Sequence, residues 1–336
     1  MKVWNFTEND NGTLITPECF GKSASGGRAV ALGYFDGVHA GHREILGRLR
    51  GFALEREIPA MVHTFVSMPK SKKTDINAKK NAHLTTVSEK CCFFEQLGVD
   101  ETALFPFSKA ISSMRSRDFL NHHIKDLLRA KVVVAGEDYR FGRDREGDIT
   151  LLSSWGRENG IEVFSVPPIL HMNKVISSTW IRDCVRNGQM TLAETLLGCP
   201  ISYSGIVQEG KQLGRTLGFP TANMTIDSDK VIPAFGVYAS VLVRLGAAYP
   251  SITSVGLRPT VNTKDLSPLI ETMMYDHSMD LYGQKIRVYL ISYIRPEYRF
   301  PDVHALKEQV HKDMNEVRHF HDVHGYDYSN LLSCVI

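Results

Sequence analysis

Two imidazoles close the run Gly33-Tyr34-Phe35-Asp36-Gly37-Val38-His39-Ala40-Gly41-His42. Imidazoles donate to phosphate oxygens, and small residues beside them let the backbone approach an anion, so the run suits a nucleoside triphosphate. A second run, Ile176-Ser177-Ser178-Thr179-Trp180-Ile181-Arg182, offers hydroxyl donors and, one turn later, a guanidinium. That combination suits β- and γ-phosphates. Each run also has a plain reading: a structural turn for the first, a helix cap with a surface charge for the second. The pair is more specific than either alone.

Such residues need a framework. The apolar run 29–32 reads as a buried strand and the apolar spacing over 44–49 as a helix, so the histidines fall where a strand hands over to a helix. In an open α/β sheet, ligands bind at such junctions, where the helix end presents N–H groups and a partial positive charge. The alternation continues with a helix over 44–57 and a strand over 60–65. A helix capped by Thr85 or Thr86 follows and stops at Gly98. Beyond it come a strand within 102–107, a capped helix over 116–128, and strands over 131–135 and 162–166. This order predicts an α/β domain with a parallel, doubly wound sheet, preceded by an edge strand and a polar loop.

After 196–200 the character changes. Segments 203–208, 236–243, 251–257 and 285–294, punctuated by glycine and proline, predict a mainly antiparallel β-barrel, with a C-terminal helix from 303 to 321. The chain is divided into domains 1–186 and 187–336.

A formal charge of +2 and 23% charged residues describe an ordinary globular protein and argue against nucleic acid as a partner. The N-terminus lacks the pattern of a secretory signal, and no apolar run reaches membrane length. The expectation is a cytoplasmic protein with no membrane association. The six cysteines lack zinc-ligand spacing and are expected to be reduced, mostly buried thiols. Nothing in the sequence fixes the oligomeric state.

On the two runs above, the first half resembles the HxGH-containing nucleotidyltransferases. It resembles in particular the FAD synthetase module of bacterial bifunctional riboflavin kinase/FAD synthetases. Leu84-Thr85-Thr86-Val87-Ser88-Glu89-Lys90, Gly98-Val99-Asp100 and Gly136-Glu137-Asp138-Tyr139-Arg140-Phe141-Gly142 agree with that family. The second half is similar to its riboflavin kinase module through Gly205-Ile206-Val207, the run from Gly210 through Gly214, Arg215 and Gly218 to Pro220-Thr221-Ala222-Asn223, and Val255-Gly256-Leu257-Arg258-Pro259-Thr260.

The resemblance implies phosphorylation of riboflavin to FMN, then adenylylation of FMN to FAD, with ATP as co-substrate and Mg²⁺ as cofactor. Riboflavin, FMN and ATP are the implied partners. For ATP it implies Gly33, Phe35, Asp36, Gly37, His39, His42, Ser177, Ser178, Thr179 and Arg182 in the first half, and Gly210, Gly214, Arg215, Thr221 and Asn223 in the second. Thr221 and Asn223 supply the hard oxygens that Mg²⁺ prefers. Asp138, Tyr139, Phe141 and Arg258 are implied flavin contacts; a turn with a buried aromatic pair is the plain alternative for Tyr139 and Phe141. His39, His42 and Arg182 are implied in stabilising phosphate charge, and Glu271 as general base for the riboflavin 5′-hydroxyl. Asp36 reads as a turn or positioning residue rather than a base. Four places depart from the family pattern: Val66-Ser67-Met68 replaces an acidic-Pro-His run, Trp180 an arginine, Ser254 an asparagine and Met273 a histidine. Loss of the second activity, or a sensor that only binds flavin or nucleotide, are the alternative readings.

Overall fold

In the computed structural model the described residues are 1–9, 13–22, 26–66, 82–209, 218–227, 229–257, 268–275, 277, 279–324, 328 and 331. Contacts divide the chain into two units, Met1–Asn81 with Thr85–Ser177, and Ala82–Leu84 with Ser178–Ile336.

The first unit is built on strands β1 (Lys2–Asn5), β2 (Arg28–Leu32), β3 (Ala60–Phe65), β4 (Glu101–Phe105), β5 (Ala130–Gly136) and β6 (Glu162–Val166). They form one parallel sheet in the order β1-β4-β3-β2-β5-β6. From β2 the chain steps one way to β3 and β4, then returns to the far side of β2 for β5 and β6. The direction of winding therefore reverses between β2 and β5, which opens a crevice at their carboxyl ends.

Helices α1 (Ala40–Glu55) and α2 (Val87–Gln96) and the alternate residues Ala29, Ala31, Val62 and Val134 make the core on one face. Val30, Leu32, Phe105 and Ala135 face the other core, with the helix Phe119–Leu127 and α3 (Ile149–Asn159). Burial on both faces is why these strands read as unbroken apolar runs rather than alternations. The expected capped helix over 116–128 differs in two respects: Arg115 precedes it without a side-chain cap, and Phe119–Leu127 is wound as a π-helix. The sequence reading missed α3, which Asp148 caps by accepting from the Leu151 N–H at 2.9 Å.

The second unit begins with α4 (Ser178–Arg186) and α5 (Met190–Leu197). Six strands follow: β7 (Ile201–Ile206), β8 (Ala222–Thr225), β9 (Gly236–Arg244), β10 (Ala247–Leu257), β11 (Pro268–Met274) and β12 (Lys285–Pro296). They pair antiparallel in the order β7-β12-β9-β10-β11-β8. Gln208, just past β7, donates its N–H to the Asn223 carbonyl of β8 at 2.8 Å, so the two edges nearly close into a barrel. The sequence reading gave no bounds for strands β8 and β11. Helix α6 (Val303–His324) places Val317 and Met314 against Val237, Ala239, Ile252 and Met273 on the outer face. On the opposite face of the strands, the hydroxyls of Ser251, Ser240, Thr253 and Thr272 form a buried chain with links of 2.7–2.8 Å.

The thiol expectation needs correction. None of the five described cysteines is in a disulfide, as expected, but only Cys184 is buried; Cys19 is exposed and Cys91, Cys92 and Cys199 are half-buried. Cys334 lies outside the described residues.

Candidate active sites

The His turn follows β2 at the mouth of the crevice. Its backbone is strained: Phe35, Gly37 and Val38 have φ of 55°, 81° and 42°. For valine this is an outlier, because its branched Cβ clashes with the backbone in the left-handed region. Gly33 is required as well, since a Cβ there would meet the Phe35 ring at 2.9 Å. The strain is held from behind by buried polar groups. Asp36, 2% exposed, accepts from the Thr85 N–H at 3.1 Å and its hydroxyl at 3.3 Å, while Thr85 Oγ1 accepts from the Gly37 N–H at 2.9 Å. Thr86, not Thr85, caps α2, with Glu89 completing a capping box.

The Tyr34 carbonyl accepts from Thr64 Oγ1 at 2.9 Å and from Lys90 Nζ at 3.2 Å. Lys90, 1% exposed, also donates to the Phe65 carbonyl at 3.1 Å and lies 4.3 Å from the Tyr34 ring centroid. Burial lowers its pKa to about 8, partly opposed by Asp36.

His39 ends the turn and precedes the first residue of α1, so both histidines sit at that helix's positive end. Their rings stack at 3.7 Å between centroids and 19° between planes. Burial first, then the neighbouring charges of His39 and Lys90, holds His42 well below the ordinary histidine range. Two imidazolium ions cannot share this spacing without strong repulsion.

Gly136, at the end of β5, starts the neighbouring loop: Leu32 and Ala135 are paired in the sheet. Thus the loop carrying Asp138, Tyr139 and Phe141 flanks the same crevice. Asp138 is exposed. Tyr139 and Phe141 stack at 5.5 Å, and Phe141, 6% exposed, is packed into the core beside Phe119. Burial raises the Tyr139 hydroxyl above its ordinary range. Ser177 ends the first unit, whereas Ser178, Thr179 and Arg182 lie on α4 with the second. Arg182 is buried and donates Nε to the Ala82 carbonyl at 2.7 Å.

In the barrel, sheet register does the placing. Asn223 of β8 is directly opposite Glu271 of β11, and Glu271 is directly opposite Ser254 of β10. Residues facing each other in antiparallel strands share a face, so the three side chains form one row across adjacent strands. Asn223 is 8% exposed and donates Nδ2 to the Thr221 carbonyl at 3.3 Å, which assigns its amide oxygen to acceptor duty. That oxygen and the Thr221 hydroxyl are hard donors that fit Mg²⁺. Among the described residues no group of three or more His, Cys, Asp or Glu is placed to hold a metal ion. Glu271 is exposed at the surface of the row. The row continues through Val237 to Arg295, which forms a bidentate ion pair with the buried Asp313 of α6 at 2.8 and 2.6 Å. Gly210, Gly214, Arg215 and Arg258 lie outside the described residues, as do Ser67 and Met68. Met273 is packed under α6, and Trp180 is half-buried.

Lys90, Thr85 and Thr64 were missed as site residues in the sequence. The signal for Lys90 was available only as its place in the segment 84–90.

Comparison with known proteins agrees with this division. Residues 21–180 match the family described as FAD synthetase, and residues 197–321 match riboflavin kinase. The bifunctional riboflavin kinase/FMN adenylyltransferase of Escherichia coli K12 is 37% identical over 296 residues, covering 88% of this chain and 93% of the relative. The Bacillus subtilis protein of the same name is 33% identical over 294 residues, covering 87% and 92%. A solved chain from Streptococcus pneumoniae, described as a macrolide-efflux protein, is similar at TM-score 0.79 and 32% identity over 88% of this chain and 96% of its own. Among the described residues no helix is long and apolar enough to cross a membrane.

Proposed function

The chain belongs to the bifunctional riboflavin kinase/FMN adenylyltransferase family, and from that premise we propose which of its residues carry the two reactions. It is a riboflavin kinase and an FMN adenylyltransferase, and it uses ATP.

In the barrel, Glu271 takes the proton of the riboflavin 5′-hydroxyl as that oxygen attacks the γ-phosphorus of ATP, and ADP leaves. Thr221 and Asn223 are the residues that would hold Mg²⁺, which when bound would supply neutralisation of phosphate charge. Positioning dominates this chemistry and the base assists. Gly210, Gly214 and Arg215 complete the phosphate side, and Arg258 contacts the flavin. The observation that carries the assignment is the register that sets Asn223 opposite Glu271.

In the first unit an oxygen of the FMN phosphate attacks the α-phosphorus of a second ATP, and pyrophosphate leaves. His39, His42 and the end of α1 stabilise the charge that grows on the phosphates. Arg182 and the hydroxyls of Ser177, Ser178 and Thr179 contribute donors, and Asp138, Tyr139 and Phe141 line the flavin side. The stacked rings at the crevice support this reading, with burial and the neighbouring charges of His39 and Lys90 holding His42 well below the ordinary histidine range. We place the reactions in the cytoplasm, where both substrates and reduced thiols are found.

The purified chain incubated with riboflavin, ATP and Mg²⁺ is expected to yield FMN and then FAD by chromatography. Accumulation of FMN alone defeats the adenylylation assignment. Absence of both products with folded protein favours a flavin or nucleotide sensor.

A further inference from the structure

The Lys90 ammonium is a buried cation whose surroundings account for its donors. Two go to main-chain carbonyls, Tyr34 at 3.2 Å and Phe65 at 3.1 Å, and the Tyr34 ring face lies 4.3 Å away. The carbonyls belong to neighbouring strands of the sheet, because Tyr34 follows β2 and Phe65 ends β3. Lys90 thus fastens the root of the His turn to the adjacent strand end from a third element, α2. A lysine desolvated this fully is costly to hold unless its charge is used. The strained stretch Phe35–Val38 starts one residue beyond the Tyr34 carbonyl it grips. The same charge also bears on His42.

We propose that Lys90 is a positioning residue for adenylyl transfer: its ammonium fixes the His turn through the Tyr34 and Phe65 carbonyls and keeps the His39–His42 pair ready for the nucleotide's negative charge. The groups that face His42 are His39 on its own turn and Lys90 from α2; Asp36, on the turn between β2 and α1, faces Thr85 and offsets the lysine charge. Cys91 is the other titratable neighbour of Lys90, while Glu89 is engaged in the α2 capping box. Lys90 does not itself touch the reacting atoms in this scheme. It acts through the turn.

The inference rests on the assignment of the His turn to FAD formation, and His42→Ala tests that assignment separately: if His42→Ala still makes FAD at the unmodified rate, the site reading fails whatever Lys90 does. With that control lost as expected, Lys90→Met in the full chain should lower kcat for FAD formation about 100-fold, because displacement of the turn misplaces the histidines. KM for ATP should stay within about threefold and FMN formation by the same chain should be unchanged, a split that general loss of folding does not produce. The His42 imidazole, followed by NMR in the apo protein, should titrate at higher pH in Lys90→Met, because a neighbouring positive charge has been removed. FAD turnover within threefold of the unmodified chain overturns the proposal, as does an unmoved His42 titration. If Lys90→Met is not recovered folded, the unmodified chain decides. Its kcat for FAD formation should fall as pH rises through about 8, where the Lys90 ammonium loses its proton, while FMN formation lacks that limb; a shared limb or none overturns the proposal.

Discussion

The two units place their chemistry in opposite ways. In the first, Gly33–His39 is an irregular turn held in strained backbone by side chains from elsewhere in the unit, Thr85 and Lys90 above all. In the barrel, Asn223, Glu271 and Ser254 sit on regular strands, and the ladder itself aligns them. The first arrangement concentrates precision in a few buried polar bonds, each of which is expensive to remove. The second spreads it over many backbone bonds, so one side chain can change without moving its neighbours. One site is therefore brittle at a distance and the other tolerant.

The largest effect that sharpens this contrast is the crossed loss of activity. His42→Ala should lower FAD formation about 1,000-fold and leave FMN formation intact. Glu271→Ala should lower FMN formation by about 10²–10⁴ and leave FAD formation from supplied FMN intact, both read by chromatography of products. If either variant depresses both activities equally, the two sites are not independent.

Brittleness itself is tested next, at two residues that hold the shape of the turn. Thr85→Val removes the hydroxyl that accepts from the Gly37 N–H and donates to the Asp36 carboxylate, leaving the backbone N–H of residue 85 on Asp36, and should cost about 1–3 kcal/mol in the first unit's denaturant unfolding. FAD formation should fall with it. Gly33→Ala should act alike by forcing the added Cβ against the Phe35 ring, at about 1–3 kcal/mol.

A smaller effect concerns acid. His63 is wholly buried among Phe65, Phe105 and Phe119 and its pKa is lowered to about 3; His123 is lowered to about 4, both chiefly by burial. An unfolded chain takes up these protons at the ordinary 6.5, so the stability they contribute is present above that value and is lost as pH falls toward 4 and 3. The first unit's thermal midpoint should drop over that window, and His63→Leu should flatten the drop. The smallest effect should come from Ser254→Asn, which restores the usual family residue in the barrel row. FMN formation is expected to change less than about threefold, within the range of tolerated surface substitutions. A change of a hundredfold would mean that the row is as brittle as the turn.

The framework was largely legible in the residues. Strands buried on both faces announce themselves as apolar runs, and the sequence bounds 60–65 and 162–166 coincide with β3 and β6. The bounds of the antiparallel strands β8 and β11 were not legible, because Ala222–Thr225 is short and Pro268–Met274 opens on a proline and lacks a clean alternation. Of the site, the His pair could be read from its own neighbourhood, since turn and helix start adjoin it in sequence. The Asn223–Glu271 juxtaposition could not, because register is fixed by turns and by pairings on either side of both strands. Lys90 was hidden for another reason. A lysine on a helix ordinarily snorkels into water, and only tertiary packing shows that this one does not. Thr85 and Thr86 illustrate the same limit at single-residue scale, as two adjacent hydroxyls that cap equally well on paper are divided by the fold between Asp36 and α2.

The seam at Gln208 and Asn223 marks where the barrel comes apart first. Within the described strands β7 pairs with β12 and β8 with β11, each on its own side, and the bridge between their far edges joins the ends of the sheet. Among the described residues a single bridge holds this seam, whereas ladders of four or more pairs hold β7 to β12 and β8 to β11, so it is the weakest junction of the sheet. The amide that contributes the candidate cation ligand is thus also the latch. Gln208 should be among the first amides to exchange with solvent when the barrel loosens.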